Sequence, residues 1–373
     1  MNESYVLNYP SEILFGNGRI QELHEKLPKN AKKILLVTGK HAENTGLVNE
    51  IIKMLPSRDV IAHCGISPEP PLNEVDILIK KGRENKSDAV IAVGGGSVID
   101  AAKTAACLIP KEGLTEDYFY NRREIKEKGL FFAAIPTTAG TGAEITRNAV
   151  LTDPSAGIKQ SIRHNTMVPD LAIIDPLLTL SNPPVLTAFS GLDAYTQAIE
   201  SYVSKNACSI SKSLALCAIN KIYHNLPTAF MFPGNIGARL QMAEGSMITA
   251  MAFAQSGLGA VHGLAHPIGS LLKVPHGAAC SILLVPILKW NLPACETEFA
   301  KIGRAIGFEN AEDFIEKTVE LQEKLGIPVT FTSYGLKEEH FDFILKNCRS
   351  NSMKLNPRHM EDSDITRILE ELS

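Results

Sequence analysis

The run Asp88-Ala-Val-Ile-Ala-Val-Gly-Gly-Gly-Ser-Val-Ile-Asp-Ala-Ala-Lys103 passes from an apolar strand into three glycines and then into a helix that opens near Ser97. A continuously apolar strand is buried on both faces, as in a parallel sheet covered by helices. The glycines permit positive φ and close backbone approach. The helix start presents unpaired N–H groups and partial positive charge, which suits a pyrophosphate. Gly94, Gly95, Gly96 and Ser97 are therefore the expected phosphate cradle, with a plain strand-to-helix turn as the competing reading. A second loop, Pro136-Thr-Thr-Ala-Gly-Thr-Gly142, follows the apolar run Leu130 to Ile135 and repeats the pattern. Its hydroxyls on Thr137, Thr138 and Thr141 are expected on phosphate or ribose. Gly16-Asn-Gly18 lacks a third glycine and a strand long enough to be central.

Outward from this motif, the first half alternates short β-branched runs with amphipathic stretches. Strands are predicted at Lys33 to Thr38, Val60 to His63, Asp88 to Val93 and Leu130 to Ile135, and helices at Asn44 to Leu55 and Asn73 to Asn85. Such alternation predicts an α/β Rossmann-like dinucleotide-binding domain with a parallel sheet. From about Ser181 the segments between turn signals become long and helical in period. The boundary falls near 178 to 182, giving an α/β domain over 1–180 and an all-α domain over 181–373. A chain of 373 residues accords with two cores.

Hydrophobic content of 45%, charged content of 21% and net charge −4 describe a globular protein with no electrostatic case for nucleic acid or an anionic membrane surface. The longest apolar runs fall short of the ~20 residues of a membrane span. Seven scattered cysteines without a CxxC suit reduced thiols that fill cores in a cytoplasmic protein.

The second chemical signal is Gly257 to Gly277, GLGAVHGLAHPIGSLLKVPHG, with His262, His266 and His276 among only ten histidines in the chain. His262 and His266 are four apart, so on a helix both imidazoles share a face. His276 stands at the start of the next apolar run. Asp193 and Gln197 are also four apart, in the apolar helical stretch Ser190 to Glu200. A carboxylate there is unfavourable unless paired or bound to a cation. Asp193 with His262 and His276 makes a mixed Asp/His set of the kind that holds Zn²⁺ or Fe²⁺.

GGGSVIDAAK, PTTAGTGAEIT, the Asp193 helix and HGLAHPIG…PHG resemble, in order and over essentially the whole chain, the iron-containing (group III) alcohol dehydrogenase family. The resemblance implies a Rossmann-like domain joined to a helical one, a dehydroquinate synthase-like architecture with metal and nicotinamide between them. It implies metal ligands at Asp193, Gln197, His262 and His276, with Gln197 standing where the family pattern has histidine, a weaker neutral donor. It assigns His266 to proton relay, Asp100 and Lys159 to the cofactor, and Asn148 and Phe253 to the substrate cleft. The position where NAD-preferring members carry an acidic residue reads Gly39 here, followed by Lys40, which favours NADP(H) with NAD(H) as the alternative. The implied reaction is hydride transfer between NAD(P)(H) and a small alcohol or aldehyde, with Fe²⁺ or Zn²⁺ polarising the oxygen. A homodimer is expected, with Tyr5 to Ile13 as an edge strand for pairing. Gln197 keeps open a metal-independent reductase resembling maleylacetate reductases. A dehydroquinate synthase-like cyclase would need a Lys and Arg cluster that the Gly-, Ala- and Leu-rich segment lacks.

Overall fold

The structure is a computed structural model that describes residues 4–373. Its contacts divide the chain between Leu180 and Ser181 into two compact units, with residues 4–7 grouped with the second.

The first unit is built on six strands: β1 (Glu12–Phe15), β2 (Lys33–Thr38), β3 (Asp59–Cys64), β4 (Ala89–Gly94), β5 (Phe131–Pro136) and β8 (Leu171–Ile174). They lie in the order β1-β8-β5-β4-β2-β3, and every neighbouring pair is parallel. The central strands have apolar interiors because both faces are covered. Ile34, Leu36, Ile91 and Val93 enter one core, and Leu35, Val37, Val90 and Ala92 enter the other. Helix α1 (Leu72–Asn85) precedes β4, and α2 (Gly96–Leu108) leaves directly from its end. The strand order reverses at β2, which is flanked by β3 and β4. In open sheets, ligands bind beyond the carboxyl ends of the strands at such a switch point. Gly39 and Lys40 follow β2 there, and Gly94 to Ser97 end β4.

Three expectations change. The helix predicted over 44–55 is two short helices, Lys40–Asn44 and Leu47–Lys53, broken at Gly46, whose φ is 79°. Strands β6 (Asn148–Asp153) and β7 (Ile158–Arg163) form an antiparallel hairpin outside the main sheet that the apolar periodicity did not reveal. The edge strand expected over Tyr5 to Ile13 is confined to Glu12–Phe15, which pairs with β8, while residues 4–10 carry no regular structure.

Over residues 181–373 the second unit holds helices and no strand. Its principal helices are α3 (Pro184–Val203), α4 (Ser209–Met231), α5 (Ile236–Ser256), α6 (Ala260–Leu272) and α7 (His276–Ala305). By length and composition α7 could cross a membrane, yet 67% of its most apolar window is buried within the protein. Its apolar character is that of a core helix. Gly277 lets α7 approach α3: a Cβ there would sit 2.5 Å from the Phe189 carbonyl oxygen. That close crossing sets His276 against Asp193.

Candidate functional site

Helices α3, α6 and α7 bring one cluster together. Asp193, the tenth residue of α3, is buried, as is His262 in the first turn of α6. His262 Nε2 lies 3.3 Å from Asp193 Oδ1, and His276 Nε2, from the first residue of α7, lies 3.8 Å from the same oxygen. Cys280 is one turn along α7, and its Sγ is 3.7 Å from both His262 Nε2 and His276 Nε2. One donor atom from each of Asp193, His262, His276 and Cys280 falls within 4.8 Å of all the others. The sequence brought out the first three, whereas Cys280 had read as a core filler.

Glu200 is the second residue that the sequence did not single out. It lies seven residues after Asp193 on α3, hence on the same face. Its Oε2 is 2.6 Å from His262 Nδ1, and its Oε1 accepts the Val261 N–H at 2.7 Å. The N-cap of α6, Gly259, supplies no capping side chain, so Glu200 and Asn356, which accepts from Ala260 N, cap the helix from outside. Gly259 must be glycine for this approach, since a Cβ would stand 2.9 Å from Glu200 Oε1.

The Glu200 contact fixes the chemistry of His262. A carboxylate on Nδ1 holds the proton there and leaves the Nε2 lone pair directed at Asp193 Oδ1, an acceptor facing an acceptor. Something positive must lie between them: a second imidazole proton or a metal ion. Burial opposes charging of His262, but the Cys280 sulfur, Glu200 and Asp193 together hold its pKa well above the ordinary histidine value. Burial raises the Cys280 thiol to about 11, with His262 pulling it down. Carboxylate, imidazole and thiol donors in this arrangement fit a divalent cation. Gln197 follows Asp193 by one turn of α3, and its buried Oε1 has no hydrogen-bond partner among the described residues, which leaves a lone pair unsatisfied on the helix that carries Asp193. His266 is half-buried on α6 with its ring 5.4 Å from that of His276. Phe253 lies near the C-terminus of α5, half-buried.

In the first unit the expected cradle is assembled. Gly95 is the N-cap of α2, with φ −75° and no side-chain cap, so the helix opens one residue earlier than predicted, at Gly96. None of Gly94, Gly95 and Gly96 has positive φ. They are glycines because of crowding: a Cβ on Gly94 would meet Val98 at 2.6 Å, and one on Gly96 would meet Thr141 at 2.6 Å. Thr141 and Thr138 thus pack on the glycine turn, and Thr137 bonds through its N–H to the Gly94 carbonyl at 3.0 Å. Ser97 Oγ accepts the Glu69 N–H, and the Glu69 carboxylate is ion-paired with Lys159, whose side chain is only 5% exposed. Lys159 is therefore tied to the cradle through one residue. Lys40 is exposed, its stem lying over Gly65.

Asp100 faces inward. Its Oδ2 accepts the Val150 N–H at 2.9 Å, its Oδ1 has no hydrogen-bond partner among the described residues, and burial raises its pKa to about 6. Lys103, lowered by burial to about 8, donates to the carbonyls of Ala143, Thr146 and Asn148. This lysine, which the sequence left unassigned, anchors the chain between the threonine loop and β6, and with it the backbone of Asn148.

Residues 10–176 match the family model for iron-containing alcohol dehydrogenase, and residues 187–373 match that for the C-terminal part of the Fe-containing alcohol dehydrogenase family. Long-chain-alcohol dehydrogenase 1 of Geobacillus thermodenitrificans is 34% identical over 97% of this chain and 95% of its own length. The 1,3-propanediol dehydrogenase of Citrobacter freundii is 33% identical, covering 96% of each chain. The crystal structure of sulfoacetaldehyde reductase from Bifidobacterium kashiwanohense in complex with NAD⁺ superposes with a TM-score of 0.93 at 30% identity, covering 100% of this chain and 99% of that one.

Proposed function

The chain belongs to the iron-containing alcohol dehydrogenase family, an NAD(P)-dependent oxidoreductase acting on CH–OH groups, and we propose that Asp193, His262 and His276 hold its divalent metal. The observation that carries this assignment is the buried convergence of His262 Nε2 on Asp193 Oδ1 at 3.3 Å while Glu200 Oε2 holds Nδ1 at 2.6 Å. When bound, the cation supplies Lewis acidity toward a substrate oxygen and the nicotinamide donates or accepts the hydride. Asp193 contributes the anionic charge that holds the cation, and Glu200 fixes the tautomer and orientation of His262. His266, half-buried with its ring beside that of His276, exchanges the proton that alcohol oxidation releases or aldehyde reduction consumes. Gly94 to Ser97, with Thr137, Thr138 and Thr141, bind the pyrophosphate at the uncapped start of α2. Lys159 stands behind them through Glu69. Asn148 and Phe253 are assigned to the substrate.

For the cofactor we favour NADP(H) over NAD(H). Gly39 offers no carboxylate to repel a 2′-phosphate, and Lys40 is exposed beside it. The substrate class is a small alcohol or aldehyde. Two copies pair through the exposed apolar residues Tyr5, Val6 and Leu7, and seven unpaired cysteines support a reducing, cytoplasmic setting.

Nicotinamide absorbance with a panel of aldehydes, before and after chelation and after adding Fe²⁺ or Zn²⁺, tests the reading. The expected result is turnover that chelation abolishes and metal restores. Full turnover in metal-free protein would overturn the metal assignment and favour the metal-independent reductase.

A further inference from the structure

We infer that Cys280 is itself a ligand, so that the centre is an Asp193–His262–His276–Cys280 set in which a thiolate completes the tetrahedron. This inference rests on the metal assignment above and adds to it a donor of different softness and charge. Its warrant is geometric. Typical bond lengths of 2.0–2.2 Å to nitrogen or oxygen and about 2.3 Å to sulfur give tetrahedral edges of roughly 3.4 Å for N···O and roughly 3.6 Å for N···S. The corresponding separations are 3.3 and 3.8 Å from Asp193 Oδ1 to the two Nε2 atoms, and 3.7 Å from Cys280 Sγ to each Nε2. Hydrogen bonding would give two equal sulfur contacts only if the thiol donated to one Nε2 and accepted a proton from the other. A shared ion accounts for both.

The placement is fixed by the helix. Cys280 follows His276 by four residues on α7, so sulfur and imidazole leave the same face one turn apart. Cys280 is fully buried with its neighbours Ala278 and Ala279, and no other cysteine joins the cluster among the described residues. On binding, the S–H bond breaks, its proton goes to solvent buffer, and the sulfur lone pair forms the metal bond. Two anionic donors, Asp193 and the thiolate, then neutralise a divalent ion, whereas one carboxylate with neutral donors would leave it a net positive charge. The neutral amide of Gln197 is left as the lesser donor. A thiolate shifts selectivity toward thiophilic Zn²⁺ relative to a set of imidazoles and carboxylate.

Cobalt substitution of the full-length protein tests this directly. Metal-free protein titrated with Co²⁺ under anaerobic conditions should develop an intense near-ultraviolet thiolate-to-cobalt charge-transfer band together with visible ligand-field bands. Cys280→Ser should abolish the first and retain the second. X-ray absorption of the Zn²⁺-loaded wild type, which involves no variant, should show one sulfur scatterer at about 2.3 Å. A wild-type protein that binds Co²⁺ or Zn²⁺ with only nitrogen and oxygen neighbours overturns the Cys280 ligand and leaves the Asp193, His262 and His276 assignment standing. A wild type that binds neither ion overturns both.

Discussion

Replacing Glu200 with glutamine separates orientation of a ligand from ordinary packing. The wild-type carboxylate accepts two hydrogen bonds, from Val261 N at 2.7 Å and from His262 Nδ1 at 2.6 Å. Glutamine has one acceptor oxygen and one donor nitrogen, so it satisfies only one partner as found. If its oxygen stays on Val261 N–H, its NH₂ faces Nδ1. The imidazole proton must then move to Nε2, where it bonds Asp193 instead of leaving a lone pair for metal. If its oxygen turns to Nδ1–H, the amide donors face the Val261 N–H, and a buried donor is left unsatisfied at about 1–3 kcal/mol. Either route weakens the metal site, and loss of an outer-shell partner of this kind weakens metal binding about 10- to 100-fold. That range corresponds to about 1.4–2.7 kcal/mol.

The two routes differ in the metal-free protein. In the first, the Nε2–H bond to Asp193 that the protonated imidazole of the metal-free wild type already makes is retained, so metal-free Glu200→Gln should melt close to the wild-type temperature while its Zn²⁺ affinity falls. Competition for Zn²⁺ against a chromophoric chelator, together with thermal melts with and without the ion, measures both quantities. A Zn²⁺ affinity within twofold of wild type would refute the tautomer argument. So would a metal-free melt lowered by as much as the Zn²⁺-loaded one, because that would make Glu200 a packing residue only.

Gly277→Ala should destabilise the helical unit by about 1–3 kcal/mol in a denaturant melt, because the new Cβ meets backbone 2.5 Å away, and Zn²⁺ affinity should fall with it as α7 moves off α3. Burial raises the Glu144 carboxyl to about 7 from its ordinary value of 4.5. Its contribution is therefore fully present below about pH 4.5 and is lost as pH rises to 7, a span worth at most about 3 kcal/mol. Glu144→Gln removes that slope, so the variant should gain stability over wild type in melts at pH 8 and not at pH 4; a gain independent of pH would contradict the assignment. Gly39→Asp should lower the ratio of NADPH to NADH turnover by about tenfold or more through repulsion of the 2′-phosphate, and an unchanged ratio would remove Gly39 from cofactor choice.

What was legible in the chain was periodic. The strand Ala89 to Val93 read as buried because it is apolar at every position, and the Asp193 and His262 helices read from four-residue spacing. The reason for the three glycines was not legible, since it lies in Thr141, a residue 45 positions beyond Gly96 that only the fold brings against it. The β6–β7 hairpin escaped because Lys159, Gln160 and Ser161 interrupt the apolar alternation of a strand that lies outside the main sheet. Glu200 carried no signal of its own beyond ending the stretch Ser190 to Glu200. Its role appears only when the start of α6, with no cap of its own, is set against it. Cys280 had a usable signal, the four-residue spacing from His276 on one helix, but the apolar run around it made core filling the simpler reading.

The missed residues complete an account of charge that the legible ones leave open. Asp193 and Glu200 are both buried on α3, and among the described residues their ion-pair partners are the two histidines, with no lysine or arginine. Removing a carboxylate from water without a partner costs several kcal/mol, so a helical core holding two of them is unstable unless positive charge enters with them. Protonated His262 supplies one unit of charge, enough for one carboxylate. A divalent ion supplies two and leaves both imidazoles neutral as donors. It also displaces the Cys280 proton, and the thiolate adds a third negative charge, so that Asp193 and Cys280 balance the ion. Glu200 is left hydrogen-bonded to a polarised His262 and to the amino end of α6. The Glu200 bond to His262 and the Cys280 sulfur therefore belong to one electrostatic unit, and substitution of either changes what the other requires.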